Sequence, residues 1–133
     1  YDMLRIRNEQ AEEATVDYSK EDVEMRVFKR RNEQIIPQKR YTKWFDYDKI
    51  ISCLEVRNRR TGDYLTISSD GKKKSVKEYF IEEKIPREER DKRLLLADGN
   101  HILWVTGMRI SEYYKVTAQT KTILQVTVSD KDE

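Results

Sequence analysis

The residues from 54 to 117 alternate between short apolar runs and turn residues, and this spacing restricts the fold more than any other feature. Leu54–Arg57 and Tyr64–Ile67 each alternate apolar with polar residues, which is typical of strands with one face in water. Thr61-Gly62-Asp63 lies between them and predicts a turn, because glycine tolerates positive φ. We therefore expect a strand, a turn and a returning strand at the start of this stretch.

Two short helices are predicted next. Ser75 is a typical N-cap, and Glu78 three residues later completes a capping box. Three apolar residues at helical spacing form the expected buried face: Val76, Tyr79 and Phe80. Pro86 disfavours helical geometry at the preceding residue, so the first helix should end near Lys84 and a second should start at Pro86.

The remaining strands are predicted from apolar runs between turn signals. In the second half of the chain, these runs are Leu94–Leu96, Ile102–Val105, Met108–Ser111 and Thr122–Val128. In the first part of the chain, Met3–Arg7 and Val23–Phe28 predict strands, and Trp44–Ile50 is expected to pack against one edge of the core. Asn8–Asp22 is acidic and is predicted to be a long loop.

Length and composition indicate one domain with a modest core. Of 133 residues, 39% are charged and 37% are hydrophobic, yet the many aromatic and β-branched residues argue against disorder. The sequence has no apolar run of ~18 residues and no apolar segment near its start, so neither a membrane span nor a signal peptide is expected. Because it starts at Tyr1, we interpret it as part of a longer protein. The single cysteine, Cys53, excludes an internal disulfide and fits the cytoplasm.

Charge is strongly segregated along the chain. Residues 1–25 carry three basic and eight acidic groups, whereas residues 26–43 carry seven basic groups and one acidic group. Residues 57–77 carry seven basic and two acidic groups. Such local excess of positive charge is typical of a protein that positions a polyanion.

Catalytic signatures are absent from the sequence. The only histidine, His101, lies beside a turn without a nucleophile near it, and a solvated turn residue is the favoured interpretation. The glycines are isolated, so no phosphate-binding loop is predicted, and no metal-ligand spacing appears. The sequence therefore predicts a non-catalytic chain and disfavours an independent hydrolase.

Basic residues are better candidates for function. Arg57 and Arg59 lie two apart, so on a strand both would point to the same face. Lys72, Lys73 and Lys74 precede the capped helix, whose N-terminus could seat a phosphate; a solvated lysine run is equally compatible. Three aromatic residues could stack on bases, although packing in the core or on the sheet is favoured: Trp104, Tyr113 and Tyr114.

An ordered series of short motifs resembles the C-terminal domain of bacterial tRNA(Ile)-lysidine synthetase. The resemblance runs from about Leu54 to Val126, just over half of the chain. Its motifs are Arg57-x-Arg59-x-x-Gly62-Asp63, Gly71-Lys72-Lys73, Val76 to Phe80, Lys84-Ile85-Pro86-x-x-x-Arg90, Leu95 to Gly99, Ile102-x-Trp104-Val105-x-Gly107-x-Arg109-Ile110-Ser111, and Lys115-Val116-Thr117 with Thr120.

The resemblance implies a fold and a function. The fold would be the small α+β domain that also occurs in the β subunit of phenylalanyl-tRNA synthetase, with a mixed sheet and two short helices. The parent would be an ATP-dependent ligase that attaches lysine to the wobble cytidine of a minor tRNA(Ile). ATP, Mg and lysine would be bound by an N-terminal catalytic domain, with no cofactor in this part. This part would hold the tRNA, chiefly toward its acceptor end.

Two positions depart from the family pattern. Tyr64 stands where relatives often have Arg, and Leu65–Ser69 lacks the usual Pro and Gly. The resemblance therefore carries RNA binding only to matched basic positions: Arg57, Arg59, Lys72, Lys73, Lys77, Lys84, Arg90, Arg109 and Lys115. We expect residues 1–53 to be a variable lead-in, 54–128 the family domain and 129–133 a frayed tail.

An interaction module is the alternative. In that hypothesis a sheet edge between Leu94 and Val105 would expose Leu and Trp and bury them against a second copy or a neighbouring domain. The two hypotheses are compatible with each other.

Overall fold

The computed structural model describes residues 2–4, 13–20 and 23–129, with side chains described from residue 23 onward. The chain divides into two compact units. The first comprises Tyr1–Arg5 and Ile51–Tyr113, and the second comprises Ile6–Ile50 and Tyr114–Glu133. The expected division at residues 53 and 128 followed chain order, whereas both observed units are discontinuous in sequence.

Most of the helices and strands among the described residues are strands. They are β1 (Asp2–Leu4), β2 (Glu13–Lys20), β3 (Val23–Lys29), β4 (Thr42–Asp46), β5 (Leu54–Arg57), β6 (Tyr64–Thr66), β7 (Lys73–Ser75), β8 (Leu95–Asp98), β9 (His101–Val105) and β10 (Thr122–Val128). The helices are α1 (Val76–Glu82) and α2 (Arg87–Arg90), with a 3₁₀ turn at Tyr47–Lys49. The predicted α+β class is confirmed.

The first unit has a six-stranded mixed sheet in the order β1-β5-β8-β9-β6-β7. All neighbours are antiparallel except β6 and β9, which run parallel and align Tyr64 with His101. The core cluster on this sheet includes the predicted helix face, and its buried members are Leu65, Val76, Tyr79, Phe80, Leu95, Ala97, Ile102 and Val105. Helix α1 thus attaches to the sheet through the three positions that its spacing predicted.

The predicted cap of α1 is confirmed. The Ser75 side chain accepts a hydrogen bond from the backbone N–H of Glu78 at 3.0 Å. Lys84 has a φ of 56°, a left-handed conformation that ends the helix where Pro86 predicted. Pro86 then stands at the N-cap position of α2.

The sheet edge required by the interaction-module hypothesis is not present. Strands β8 and β9 lie in the middle of the six-stranded sheet, with β5 and β6 on their outer sides. Leu95, Leu96, Leu103 and Trp104 are all buried. The expectation of exposed Leu and Trp in this region was therefore wrong, because these side chains pack in the interior. Pairing on both sides also leaves the two strands no free edge.

The second unit has an antiparallel sheet in the order β2-β3-β10-β4. Val27 faces Leu124 across β3 and β10, and Leu124 faces Phe45 across β10 and β4. These three side chains are fully buried, so this face of the sheet is apolar. Strand alternation puts the intervening residues of β3, β10 and β4 on the opposite face.

Two predictions of local structure were wrong. Glu13–Lys20 forms a strand, β2, within the acidic stretch that was predicted to be a loop; residues 8–12 and 21–22 lie outside the described residues. Met108–Ser111 is not a strand and makes only an isolated bridge between Trp104 and Ile110. Gly107, at φ 75°, turns the chain just after β9 and limits the pairing to that bridge.

Candidate RNA-binding surface

Arg57 lies at the end of β5 with only 2% of its surface exposed. Its Nη1 and Nη2 atoms donate to the two carboxylate oxygens of Asp63 at 2.7 and 2.8 Å. Its Nε donates to Glu55, and its two Nη atoms also donate to the carbonyl oxygens of Asn58 and Gly99. The pKa of Arg57 is raised above its usual value, chiefly by the hydrogen bond to Asp63.

This geometry corrects the sequence prediction for Arg57. A buried guanidinium that donates to two carboxylates and two carbonyls has its fork of N–H groups occupied. Arg57 therefore fastens the turn after β5 to the β8–β9 turn at Gly99, and it does not face an external phosphate. The predicted common face of Arg57 and Arg59 is also absent, since β5 ends at Arg57.

Arg59 and Arg90 lie around the two short helices. Arg59 Nε is 2.9 Å from Asp91, and its guanidinium carbon lies 5.8 Å from the centre of the Phe80 ring. Arg90 Nε donates to the carbonyl oxygen of Ile85 at 2.8 Å. Both side chains therefore brace the α1–α2 corner, although neither is buried.

Arg109 is brought to the turn between β6 and β7. Its Nη2 donates to the carbonyl oxygen of Ile67 at 2.7 Å and lies 3.7 Å from Glu112. The N–H of Ile67 in turn donates to the carbonyl oxygen of Lys72 at 2.8 Å. The structure thus places Arg109 next to the backbone that carries Lys72.

Four predicted lysines are exposed in the first unit: Lys72, Lys73, Lys77 and Lys84. Among the described residues, no carboxylate lies within ion-pair distance of any of these four. Lys74, by contrast, pairs with Glu82. We call Lys72, Lys73 and Lys77 the lysine group, because they surround the junction of β7 and α1. Lys115 is exposed in the second unit.

The start of α1 does not offer the predicted phosphate seat. The N–H of Glu78 donates to the Ser75 side chain, and the N–H of Val76 donates to the carbonyl oxygen of Asp63 at 3.0 Å. Helix α1 has only seven residues, and these two N–H groups of its first turn are already used. Any anion at this junction would be held by lysine side chains.

A row of aromatic rings lies beside the lysine group. The Tyr64 and His101 rings stack at 4.6 Å, and His101 lies 5.0 Å from the Tyr113 ring. Lys73 Nζ is 5.0 Å from the centre of the Tyr64 ring. Tyr113, at 43% exposed, is the most open ring of the row.

His101 is therefore packed into the row and is not the solvated turn residue that was favoured. It begins β9, and its Nε2 lies 2.9 Å from the Thr66 hydroxyl. Burial lowers the pKa of His101, and the charge of Lys73 lowers it further, while Asp98 acts in the opposite direction. The lowered pKa favours a neutral His101 at pH 7, with its ring next to those of Tyr64 and Tyr113.

The other two candidate aromatic residues belong to the interior. Trp104 and Tyr114 are 0% and 1% exposed, so core packing, the favoured interpretation, is what the structure shows for them. Cys53 is half-buried, as predicted, with a free thiol. Within the described part of the chain, no three side chains of the metal-binding types come together, and no helix is long and apolar enough to cross a bilayer.

One group of basic residues in the second unit was not among the predicted RNA-binding residues. Arg26 and Lys29 on β3, together with Arg31 just beyond it, line a cleft on the sheet. The excess of positive charge in residues 26–43 was noticed in the sequence. The alternation of Arg26 with buried Met25 and Val27 is the additional signal that could have placed Arg26 on the face opposite those two side chains.

Comparisons with known proteins agree on one family. The family model described as TilS substrate C-terminal domain matches residues 54–127, more than half of the chain. The tRNA(Ile)-lysidine synthase of Caldanaerobacter subterraneus subsp. tengcongensis is 46% identical over 86 residues, which is 65% of this chain and 18% of the relative. That of Clostridium tetani is 41% identical over 93 residues, 70% of this chain and 20% of the relative.

A solved structure, described as a TILS C-terminal domain, is also similar. It is 28% identical, has a TM-score of 0.61, and the match covers 83% of this chain and 87% of that one. The chain spans about a fifth of the length of the curated relatives. The similarity to a solved structure extends to more of the chain than the family model does.

Proposed function

We propose that this chain, which belongs to the TilS substrate C-terminal domain family, binds tRNA(Ile) and positions it for a lysidine synthase. The parent would be the ATP-dependent ligase that joins lysine to the wobble cytidine. ATP with Mg and lysine would be bound by an N-terminal catalytic domain, and we assign none of the residues described above to that chemistry. The reaction would take place in the cytoplasm.

The observation that carries the proposal is the exposure of the lysine group. Lys72, Lys73 and Lys77 lie around one β-strand to helix junction, with no described carboxylate within ion-pair distance. Most other basic side chains of this unit donate to carboxylates or carbonyls, which reduces the attraction that they can offer to an external anion. Phosphate oxygens would supply the missing partners.

The mode of recognition follows from the shape of RNA. An A-form helix has a deep, narrow major groove that hides its base edges, so a protein contacts its phosphates and its overall shape. The side chains of the lysine group can contact the phosphates of one duplex strand without reading its sequence. We propose, as the resemblance to the family implies, that this duplex belongs to the acceptor end of the tRNA.

A binding measurement with RNA fragments tests the proposal. The chain would be titrated into fluorescently labelled tRNA(Ile), an acceptor-stem minihelix and an anticodon stem-loop at low salt. We expect the minihelix to retain most of the affinity of the whole tRNA and the anticodon stem-loop to bind much more weakly. Absence of binding to all three RNAs would contradict the proposed function, and equal binding would contradict the preference for the acceptor end.

A further inference from the structure

Three aromatic rings of the first unit form a row that reaches the surface. The His101 ring lies 4.6 Å from the Tyr64 ring, with 24° between their planes, and 5.0 Å from the Tyr113 ring, with 31°. Tyr64 and His101 are half-buried, whereas Tyr113, at the end of the row, keeps 43% of its surface exposed. That fraction is what remains after Tyr113 has made its contacts within the chain. The row therefore presents part of one aromatic side chain to a ligand.

The backbone that carries Tyr113 is fixed to two strands of the sheet. The N–H of Ser111 donates to the carbonyl oxygen of Leu103 on β9 at 2.8 Å, and that of Glu112 donates to the carbonyl oxygen of Thr66 on β6 at 2.9 Å. The N–H of Tyr113 itself donates to the Ser111 hydroxyl at 3.3 Å. A ring on a backbone held in this way is positioned before a ligand arrives, which lowers the entropy lost on binding.

Positive charge lies at the other end of the row. Lys73 is exposed, and its Nζ is 5.0 Å from the centre of the Tyr64 ring. Each step from this ammonium group through the rings to Tyr113 is therefore 5.0 Å or less. Proteins that bind single-stranded nucleic acid combine cations for the backbone with aromatic rings on which bases stack. The lysine group and the row supply both components within one unit.

The state of the RNA decides whether such a ring can be used. Within a duplex, each base is covered on both faces by its neighbours, so only phosphates and shape are accessible to the protein. An unpaired base exposes its face and can stack on a tyrosine. Exposure of Tyr113 next to the lysine group thus favours a single-stranded segment that continues from the duplex.

We propose that Tyr113 stacks on an unpaired base of the single-stranded 3′ extension that follows the acceptor duplex. The inference rests on the proposed function, in which the lysine group contacts the phosphates of that duplex, and adds a contact to a base. Every base has an aromatic face, so stacking would add affinity without reading the sequence.

The design of the RNA separates the base contact from the phosphate contacts. Minihelices with the same acceptor duplex would carry either the natural 3′ extension or an abasic one, which keeps the phosphates and lacks the bases. We expect the wild-type chain to bind the natural extension roughly tenfold more tightly than the abasic one, as the stacking of one base on an aromatic ring would give.

Substitutions at Tyr113 identify the ring responsible. Tyr113→Leu keeps an apolar side chain without a ring, so its preference for the natural extension should fall to about one. Tyr113→Phe keeps the ring and should keep the preference. Tyr113 is exposed, so both variants should fold, which circular dichroism would check. Lys77→Gln is the matched control, since it should weaken binding to both extensions and leave their ratio unchanged.

The ring signals of His101 provide a second readout. His101 is the only histidine and lies next to Tyr113, so its C–H signals in proton spectra report from within the row. The natural extension should shift these signals more than the abasic extension does.

Equal affinity of the wild-type chain for the two extensions would overturn the proposal, as would a Tyr113→Leu variant that keeps the preference. If the chain bound neither minihelix nor tRNA(Ile), the proposed function would fail, and an adenosine trinucleotide would decide the stacking site separately. A shift of the His101 signals by the trinucleotide would still support Tyr113 as a stacking site, whereas unchanged signals would overturn it as well.

Discussion

Arg57 and Asp63, six residues apart, form a buried two-pronged ion pair with N–O distances of 2.7 and 2.8 Å. Asp63 also accepts from the backbone N–H of Arg60 and from the side chain of Asn100. One carboxylate therefore joins the turn after β5 to the β8–β9 turn. The Arg and Asp of the Arg57-x-Arg59-x-x-Gly62-Asp63 motif thus stabilise the fold of the first unit.

Replacing Asp63 should destabilise the first unit strongly. Asp63→Ala leaves the Arg57 guanidinium buried without its main partner, and breaking a buried pair in this way costs ~3–5 kcal/mol. Urea denaturation followed by circular dichroism would measure the change in the free energy of unfolding. Asp91→Asn is the control, since Asp91 pairs with Arg59 at the surface and its side chain is 77% exposed. That variant should lose less than ~1 kcal/mol, and a similar loss in both variants would contradict the role of the Arg57–Asp63 pair.

Removing the cap of α1 should cause a smaller loss of stability. Ser75→Ala removes the acceptor of the Glu78 N–H and should lower the free energy of unfolding by about 1 kcal/mol. Ser69→Ala changes an exposed serine in the preceding loop and serves as the control. The same urea experiment compares them, and the cap would be refuted as a stabilising element if the two variants were equally stable.

The lowered pKa of His101 predicts that the free energy of unfolding depends on pH. Burial and Lys73 lower its folded pKa below the ~6.5 of an unfolded chain. The unfolded chain therefore takes up a proton first as pH falls, so stability should decline from about pH 6.5 downward until the folded pKa is reached. His101→Gln should remove this part of the decline.

Direct titration of His101 is straightforward, because it is the only histidine. Its ring C–H signals in proton spectra of a tag-free chain should give a pKa below 6.5. Lys73→Gln should raise that pKa, since it removes a nearby positive charge. A wild-type pKa at or above the unfolded value would contradict the packing of His101 between Tyr64 and Tyr113.

Local signals predicted the helical part of the fold well. The Ser75 cap, the three buried positions of α1 and the break at Pro86 each depend on neighbours within a few residues, which a sequence displays directly. Strand β2 was missed, although Ala14, Val16 and Tyr18 alternate with polar residues, because the acidic composition of the stretch outweighed that pattern.

The candidate site was harder to predict because it depends on distant partners. The burial of Arg57 is set by Asp63 and Gly99, and no periodicity in β5 reveals it. The cleft of the second unit likewise needs β10 to lie between β3 and β4, a pairing across about a hundred residues. Composition indicated an excess of positive charge, whereas topology decides which cations share a surface.

The salt dependence of tRNA(Ile) binding tests the central claim most directly. The logarithm of the association constant falls linearly with the logarithm of the salt concentration, and each lost phosphate contact makes this slope shallower by roughly 0.7–0.9. The triple variant Lys72→Gln/Lys73→Gln/Lys77→Gln should therefore have a slope shallower by about 2 to 3 than the wild-type chain. The control is Lys92→Gln, at an exposed lysine outside the lysine group. It should change the slope by less than the loss of one phosphate contact would. A triple variant that binds with the wild-type slope would show that the lysine group does not contact the RNA.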